Sequence, residues 1–268
     1  MKYKLLAIDL DDTLLSDQLE ISKENKKAII EMENMGIHVV FCSGRAKDSM
    51  MKYVKEVGIH EKEDYIISYN GAVIDRFDGE RVFYKPISRE YLKELIDIGR
   101  QHNIDTQLYT DEIVVEKYTD KTKLYEELSG LPVKVVSDLK DIEESIKVLY
   151  NHVAGDALEE LRLELTAKFD SNFNIFYSKS HYVEVLHKEA NKGLAVKNLA
   201  ESLGISREKV VAIGDGFNDV SMIEYAGLGV AVKNAHDGVK EKADYITEAD
   251  NNKSAICEVY EKFIKKID

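Results

Sequence analysis

The sequence predicts an α/β fold: a doubly wound parallel sheet with a second, smaller α+β domain inserted into it. Three observations predict it. Apolar runs of buried-strand character, Lys4-Leu5-Leu6-Ala7-Ile8 and Val210-Val211-Ala212-Ile213, each end in a knot of carboxylates. Strand-like and helix-like segments alternate from the N-terminus to Ser68. From about Arg81 the pattern changes to short period-2 runs rich in tyrosine, and the buried-strand pattern returns after Leu186.

The elements follow in order. After the first strand, Ser22 is placed to cap a helix carrying Ala28, Ile29, Ile30 and Met32, with Gly36 as its stop. Ile37–Phe41 reads as a second buried strand, Lys47–Val57 as a helix and Tyr65–Ser68 as a third strand. That β-α-β-α-β order implies right-handed crossovers and a parallel sheet. The insert holds period-2 strands near residues 81–85, 105–109, 113–116, 146–150, 174–177 and 182–186, with helices near 88–102 and 156–169. The chain then supplies a helix over 192–203, a strand over 209–213, a helix from Asn218, short strands near 229–232 and 244–246, and a closing helix over 253–266. The expected division is a core of 1–83 and 187–268 around an inserted domain of 84–186.

Composition narrows the function. The 268 residues carry a formal charge of -13, which argues against a nucleic-acid binder. An anionic substrate stays possible, because a bound cation and a lysine can reverse the local field. Only Cys42 and Cys257 are present, without CxxC spacing, which predicts a reducing, cytoplasmic setting. No apolar run approaches a membrane span, and no signal-peptide pattern opens the chain. Oligomeric state is not legible.

The acids carry the chemistry. In parallel α/β sheets ligands bind at the carboxyl ends of strands. Carboxylates gathered there repel unless a cation joins them, so the simplest inference is a divalent site suited to Mg²⁺. An EF-hand match is weighed and discarded: Asp9, Asp11, Thr13, Asp17 and Glu20 fall at ligand positions, but Leu14 stands where the turn needs glycine.

Four separated pieces stand in order: Asp9-Leu10-Asp11-Asp12-Thr13 (DxDxT); the strand-terminal Ser43 in Ser43-Gly44-Arg45; Lys192 in Asn191-Lys192-Gly193; and Gly214-Asp215-Gly216-Phe217-Asn218-Asp219 (GDGxND). Over its whole length the chain resembles the haloacid dehalogenase superfamily phosphatases of the Cof type (subclass IIB), with a large C2 cap. The resemblance implies Mg²⁺-dependent hydrolysis of small phosphorylated metabolites such as sugar phosphates. Asp9 is the expected nucleophile, forming an acyl phosphate that water cleaves. Asp11 is the expected acid toward the leaving alcohol and base toward water, on the same strand face as Asp9 if the strand continues. Asp9, Asp215 and the backbone carbonyl of Asp11 are the expected metal ligands, with Asp219 behind them orienting waters or Lys192.

Ser43, Gly44, Lys192, Asn218 and the Leu10 amide are expected to hold the phosphoryl oxygens. Arg45, Asn70 and Gly71 could reach the leaving group, and His181 could touch substrate. Cys42, beside Ser43, reads as a small buried residue rather than a nucleophile. Phe217 departs from the polar residue many relatives carry there. A phosphomutase of the same superfamily remains an alternative. So, from another class, does a phospho-accepting signalling receiver, which multiple turnover of p-nitrophenyl phosphate would exclude. A silent metabolite-binding protein is disfavoured by the intact acids.

Overall fold

The structure, a computed structural model, describes residues 2–59, 64–152 and 155–265. It divides into two compact units, Met1–Phe83 with Asn191–Asp268, and Tyr84–Ala190.

The first unit runs β1 (Leu5–Asp9), α1 (Lys23–Asn34), β2 (His38–Cys42), α2 (Lys47–Val57), β3 (Tyr65–Ser68), β4 (Val73–Arg76) and β5 (Arg81–Tyr84). The second holds β6 (Ile87–Ser88), α3 (Arg89–Gln101), β7 (Asp105–Tyr109), β8 (Ile113–Val115), α4 (Asp120–Ser129), β9 (Val133–Val135), β10 (Glu144–Ser145), β11 (Lys147–Asn151), α5 (Asp156–Phe169), β12 (Phe173–Lys179) and β13 (Tyr182–His187). The chain re-enters the first unit with α6 (Lys192–Ser202), β14 (Val210–Gly214), α7 (Val220–Tyr225), β15 (Leu228–Ala231), α8 (Asp237–Lys240), β16 (Tyr245–Ile246) and α9 (Ala255–Val259).

The first unit's sheet has the order β16-β15-β14-β1-β2-β3-β4-β5. From β16 to β3 every pairing is parallel, and β4 returns antiparallel on β3. Both faces are buried by the strand alternation. Leu6 and Ile8 pack with Val39, Phe41, Val211 and Ile213 toward α1, α2 and α9. Leu5 and Ala7 pack with Val40, Cys42, Val210 and Ala212 toward α6 and α7. This alternation is what aims Asp9: it follows Leu5 and Ala7 onto the α6 face.

The second unit is a six-stranded sheet of order β12-β13-β11-β7-β8-β9, antiparallel except for the β8–β9 pair, beside a small β10–β6 ribbon. Leu92, Leu95, Leu158, Leu161 and Leu165 of α3 and α5 cover one sheet face, against Leu108, Val148, Val183 and Val185.

Ser22 caps α1 by accepting the Asn25 amide at 3.1 Å, and α2 and α5 have their expected limits. The return to the first unit comes later than the expected 187. His187 still pairs with Phe173, the Lys188 amide donates to the Asn172 carbonyl, and the Ala190 amide to that of His187, so the second unit keeps these residues. The closing helix is broken at its start, where Ser254 is left-handed and a 3₁₀ turn precedes it; its expected end at residue 266 lies outside the described residues. Among the described residues no helix is long and apolar enough to cross a membrane.

Candidate active site

Strand register gathers the distant motifs. Asp9 lies opposite Cys42 of β2, which brings Ser43 next to it, and Ile8 lies opposite Ile213 of β14, which brings Gly214 and Asp215 to the same sheet edge. Lys192 opens α6 on the face toward which Asp9 points. Asn191 caps that helix by accepting the Leu194 amide at 2.8 Å, and the Gly193 amide donates to Ser221 Oγ of α7 at 3.0 Å, so the lysine starts from a fixed backbone.

The centre is a buried ion cluster. Lys192, 0% exposed, donates through Nζ to Asp9 Oδ1 at 2.5 Å and to Asp219 Oδ1 at 2.6 Å. Asp219 Oδ2 accepts the amides of Asp215 at 3.0 Å and Gly216 at 2.9 Å. Thr13 Oγ1 donates to Asp215 Oδ1 at 3.1 Å. Burial alone would push the Lys192 ammonium down, but Asp219 and Asp9 outweigh it and raise its pKa above the ordinary lysine value. Burial, and then the Asp219 charge, holds the Asp9 carboxyl well above the usual range. The same two causes push Asp215 up to about 6, against the pull of the Thr13 hydroxyl.

Asp9, Asp215 and Asp219 each offer an oxygen within 4.8 Å of the others. Three carboxylates stand against one ammonium, so full ionisation would leave an excess of two negative charges. A hard-oxygen set of that charge fits a divalent cation such as Mg²⁺. Asp219 is the least available of the three, since both its oxygens are committed to Lys192 and to backbone amides.

The acidic turn differs from the strand extension expected of it. The strand ends at Asp9; Leu10–Leu14 form one wide turn closed by the Leu15 amide on the Leu10 carbonyl, with Asp12 left-handed at φ 58°. Leu10 still buries its side chain in the core. Strand alternation therefore does not set the direction of Asp11. Arg45 does: its Nε and Nη2 fork onto Asp11 Oδ2 at 2.9 Å and Oδ1 at 2.5 Å. Arg45, expected beside the leaving group, is thus engaged with the expected acid–base residue.

The remaining motif residues form a second wall. Ser43 is buried; its hydroxyl accepts the Arg45 amide at 3.2 Å, which leaves its proton to donate. Asn218 Nδ2 donates to Asn70 Oδ1 at 3.1 Å, and a side chain on Gly44 would crowd the Asn70 amide. Tyr69, Asn70 and Gly71 are consecutive left-handed residues in the β3–β4 connection, and Gly71 lies so close to the Asn191 carbonyl that a Cβ would collide. Gly71 thus has a packing reason of its own. His181 lies in the β12–β13 turn of the second unit, against the Tyr182 ring. Cys42 is fully buried, and burial pushes its thiol up, away from nucleophilic use.

Two residues with no sequence signal brace the turn. Asn234 Nδ2 donates to the Asp12 carbonyl at 2.7 Å. Asn251 Nδ2 donates to the Leu15 carbonyl at 3.1 Å and to Asp17 Oδ1 at 3.0 Å, and its amide donates to Asn234 Oδ1 at 3.0 Å. An isolated asparagine in a loop gives no pattern to read; only the fold reveals its partner.

Comparison with known proteins shows the family. The family model of the haloacid dehalogenase-like hydrolases matches residues 6–259. The chain is 33% identical over 250 residues to the 5-amino-6-(5-phospho-D-ribitylamino)uracil phosphatase YcsE of Bacillus subtilis, covering 91% of this chain and 90% of that protein. It is 29% identical over 271 residues to phosphatase YwpJ of the same organism, with 91% and 94% covered. A haloacid dehalogenase-like hydrolase from Bacteroides thetaiotaomicron superposes with a TM-score of 0.88 at 34% identity, over 97% of this chain and 99% of that one. With a match of this extent, and with the four motifs meeting at one sheet edge, the chain belongs to the haloacid dehalogenase-like hydrolases, in their Cof-type branch, and is a phosphatase.

Proposed function

We propose that the protein is a Mg²⁺-dependent phosphatase of small phosphorylated metabolites, of the sugar-phosphate type, working through an aspartyl phosphate on Asp9. The observation that carries this reading is the buried ammonium of Lys192 bridging Asp9 and Asp219 beside Asp215. The name of the relative YcsE, which specifies a phosphorylated ribityl chain, supports a polyol or sugar arm on the phosphate. We read the 84–190 unit as the family's cap.

In this reading an oxygen of Asp9 attacks phosphorus and the ester P–O bond breaks. Asp11 gives its proton to the departing alkoxide, which leaves as the alcohol. Asp11 then takes a proton from water as the water oxygen attacks phosphorus, and the bond from phosphorus to Asp9 breaks to release phosphate. Asp11 must yield part of its Arg45 fork in each transfer, so Arg45 positions the acid–base group. Lys192 fixes the rotamer of Asp9 and offsets charge as the anionic substrate arrives. The Ser43 hydroxyl, the Leu10 amide and Asn218 donate to the three phosphoryl oxygens. Mg²⁺ held by Asp9, Asp215 and the Asp11 carbonyl would supply charge neutralisation at those oxygens.

Chelation tests the metal. Hydrolysis of p-nitrophenyl phosphate is expected to fall to background in EDTA and to return with excess MgCl₂. An unchanged rate in EDTA would remove the cation from the account. Repeated turnover in the same assay separates an enzyme from a receiver that is phosphorylated once.

A further inference from the structure

Arg45 grips the expected acid–base residue, and a second partner stands beside it. Its backbone is fixed: the Arg45 amide donates to Ser43 Oγ at 3.2 Å, and its carbonyl accepts the Tyr69 amide at 3.0 Å. Only the side chain is left to move. Nε and Nη2 fork onto Asp11, while Cζ lies 5.7 Å from the centre of the Tyr53 ring. Tyr53 stands on the inner face of α2 with Met50, Val54 and Val57, packed into the core and 2% exposed. Its hydroxyl oxygen is buried and makes no hydrogen bond. The phenol nevertheless lies near enough to the guanidinium to help raise the Arg45 pKa, behind Asp11 and against the effect of burial. A buried polar atom in this state is uncommon, because an unmade hydrogen bond costs free energy.

We propose that Tyr53 is a positioning residue whose hydroxyl oxygen accepts a guanidinium N–H of Arg45 when Asp11 lets it go. The inference rests on the reading of Asp11 as the acid–base group. To give or take a proton, Asp11 must loosen the fork. A guanidinium N–H freed in a half-buried wall with no acceptor would add to the cost of that step. Tyr53 Oη is an acceptor already in place, on a ring held by packing. Arg45 then exchanges one partner for another, and Asp11 is released without stranding the arginine. No proton passes between Arg45 and Tyr53 in the exchange.

Tyr53→Phe removes the oxygen and keeps the ring. It should lower kcat for phenyl phosphate, whose poor leaving group calls on the acid, roughly 3- to 10-fold, the scale of one hydrogen bond, with KM nearly unchanged. It should leave thermal stability equal or higher, because the oxygen removed has no partner in the resting protein. In an Arg45→Ala background the same change should leave kcat where it was. A structural role for the hydroxyl would lower stability together with activity, and a role independent of Arg45 would give the same loss in both backgrounds. Either result, or a Tyr53→Phe enzyme with wild-type kcat, overturns the exchange. Asp11→Asn keeps the two readings apart. If it turned over phenyl phosphate at the wild-type rate, the acid–base assignment would fall and the exchange with it; if it were inactive while Tyr53→Phe was unimpaired, the role of Tyr53 alone would fall.

Discussion

Asp9→Asn should abolish turnover and leave the protein folded. The expected loss in kcat is on the order of 10⁴-fold or more, the scale of removing a covalent nucleophile. Stability should be preserved because the cluster has more acids than cations. Lys192 keeps its contact with Asp219 at 2.6 Å, and one source of like-charge repulsion around Asp215 disappears. Steady-state hydrolysis checks the first part and circular dichroism through thermal unfolding the second. A variant with near-normal turnover would move the nucleophile elsewhere. A variant that is inactive because it is unfolded would leave Asp9 structural.

Lys192→Met should be the most destabilising single substitution in the acid cluster. The side chain is fully buried and both its carboxylate partners are buried with it. Removing the ammonium that joins them leaves Asp9 and Asp219 desolvated and facing each other. Breaking a buried pair in this way costs about 3–5 kcal/mol. The volume of methionine is close to that of lysine, so lost packing contributes little. The companion variant Lys192→Met/Asp219→Asn separates the causes. The introduced asparagine could still accept the amides of Asp215 and Gly216, so it should recover part of the loss if unpaired charge is responsible. Denaturant unfolding of the two variants measures this; equal stability for both would place the damage in packing instead.

The parts of the fold that are legible in sequence are those with a strong period. β1, β2 and β14 are buried on both faces and read as short apolar runs. α1 shows both its cap and its stop. α4 is not legible because its face is thin: Leu124 is exposed, and its clearest signals are the Thr119–Thr122 capping box and Gly130. β4 is hidden behind the Asn70-Gly71 turn, which suggests substrate contact from sequence but also makes a hairpin with β3. At the site, DxDxT and GDGxND are visible because each follows a strand run. The fork from Arg45 to Asp11 is not, since it depends on where the chain leaves the strand, and that is fixed by a wide turn with a left-handed Asp12. Asn234 and Asn251 act through contacts more than 200 residues away in sequence, which no local pattern encodes.

The most direct test of the account is a crystal structure grown with Mg²⁺ and beryllium trifluoride, a mimic of the phosphorylated carboxylate. The account predicts beryllium bonded to Asp9 and a Mg²⁺ ion about 2.1 Å from oxygens of Asp9 and Asp215, with Lys192 still joining Asp9 to Asp219. A fluoride group on another residue, or a cation bound away from these two carboxylates, would contradict it.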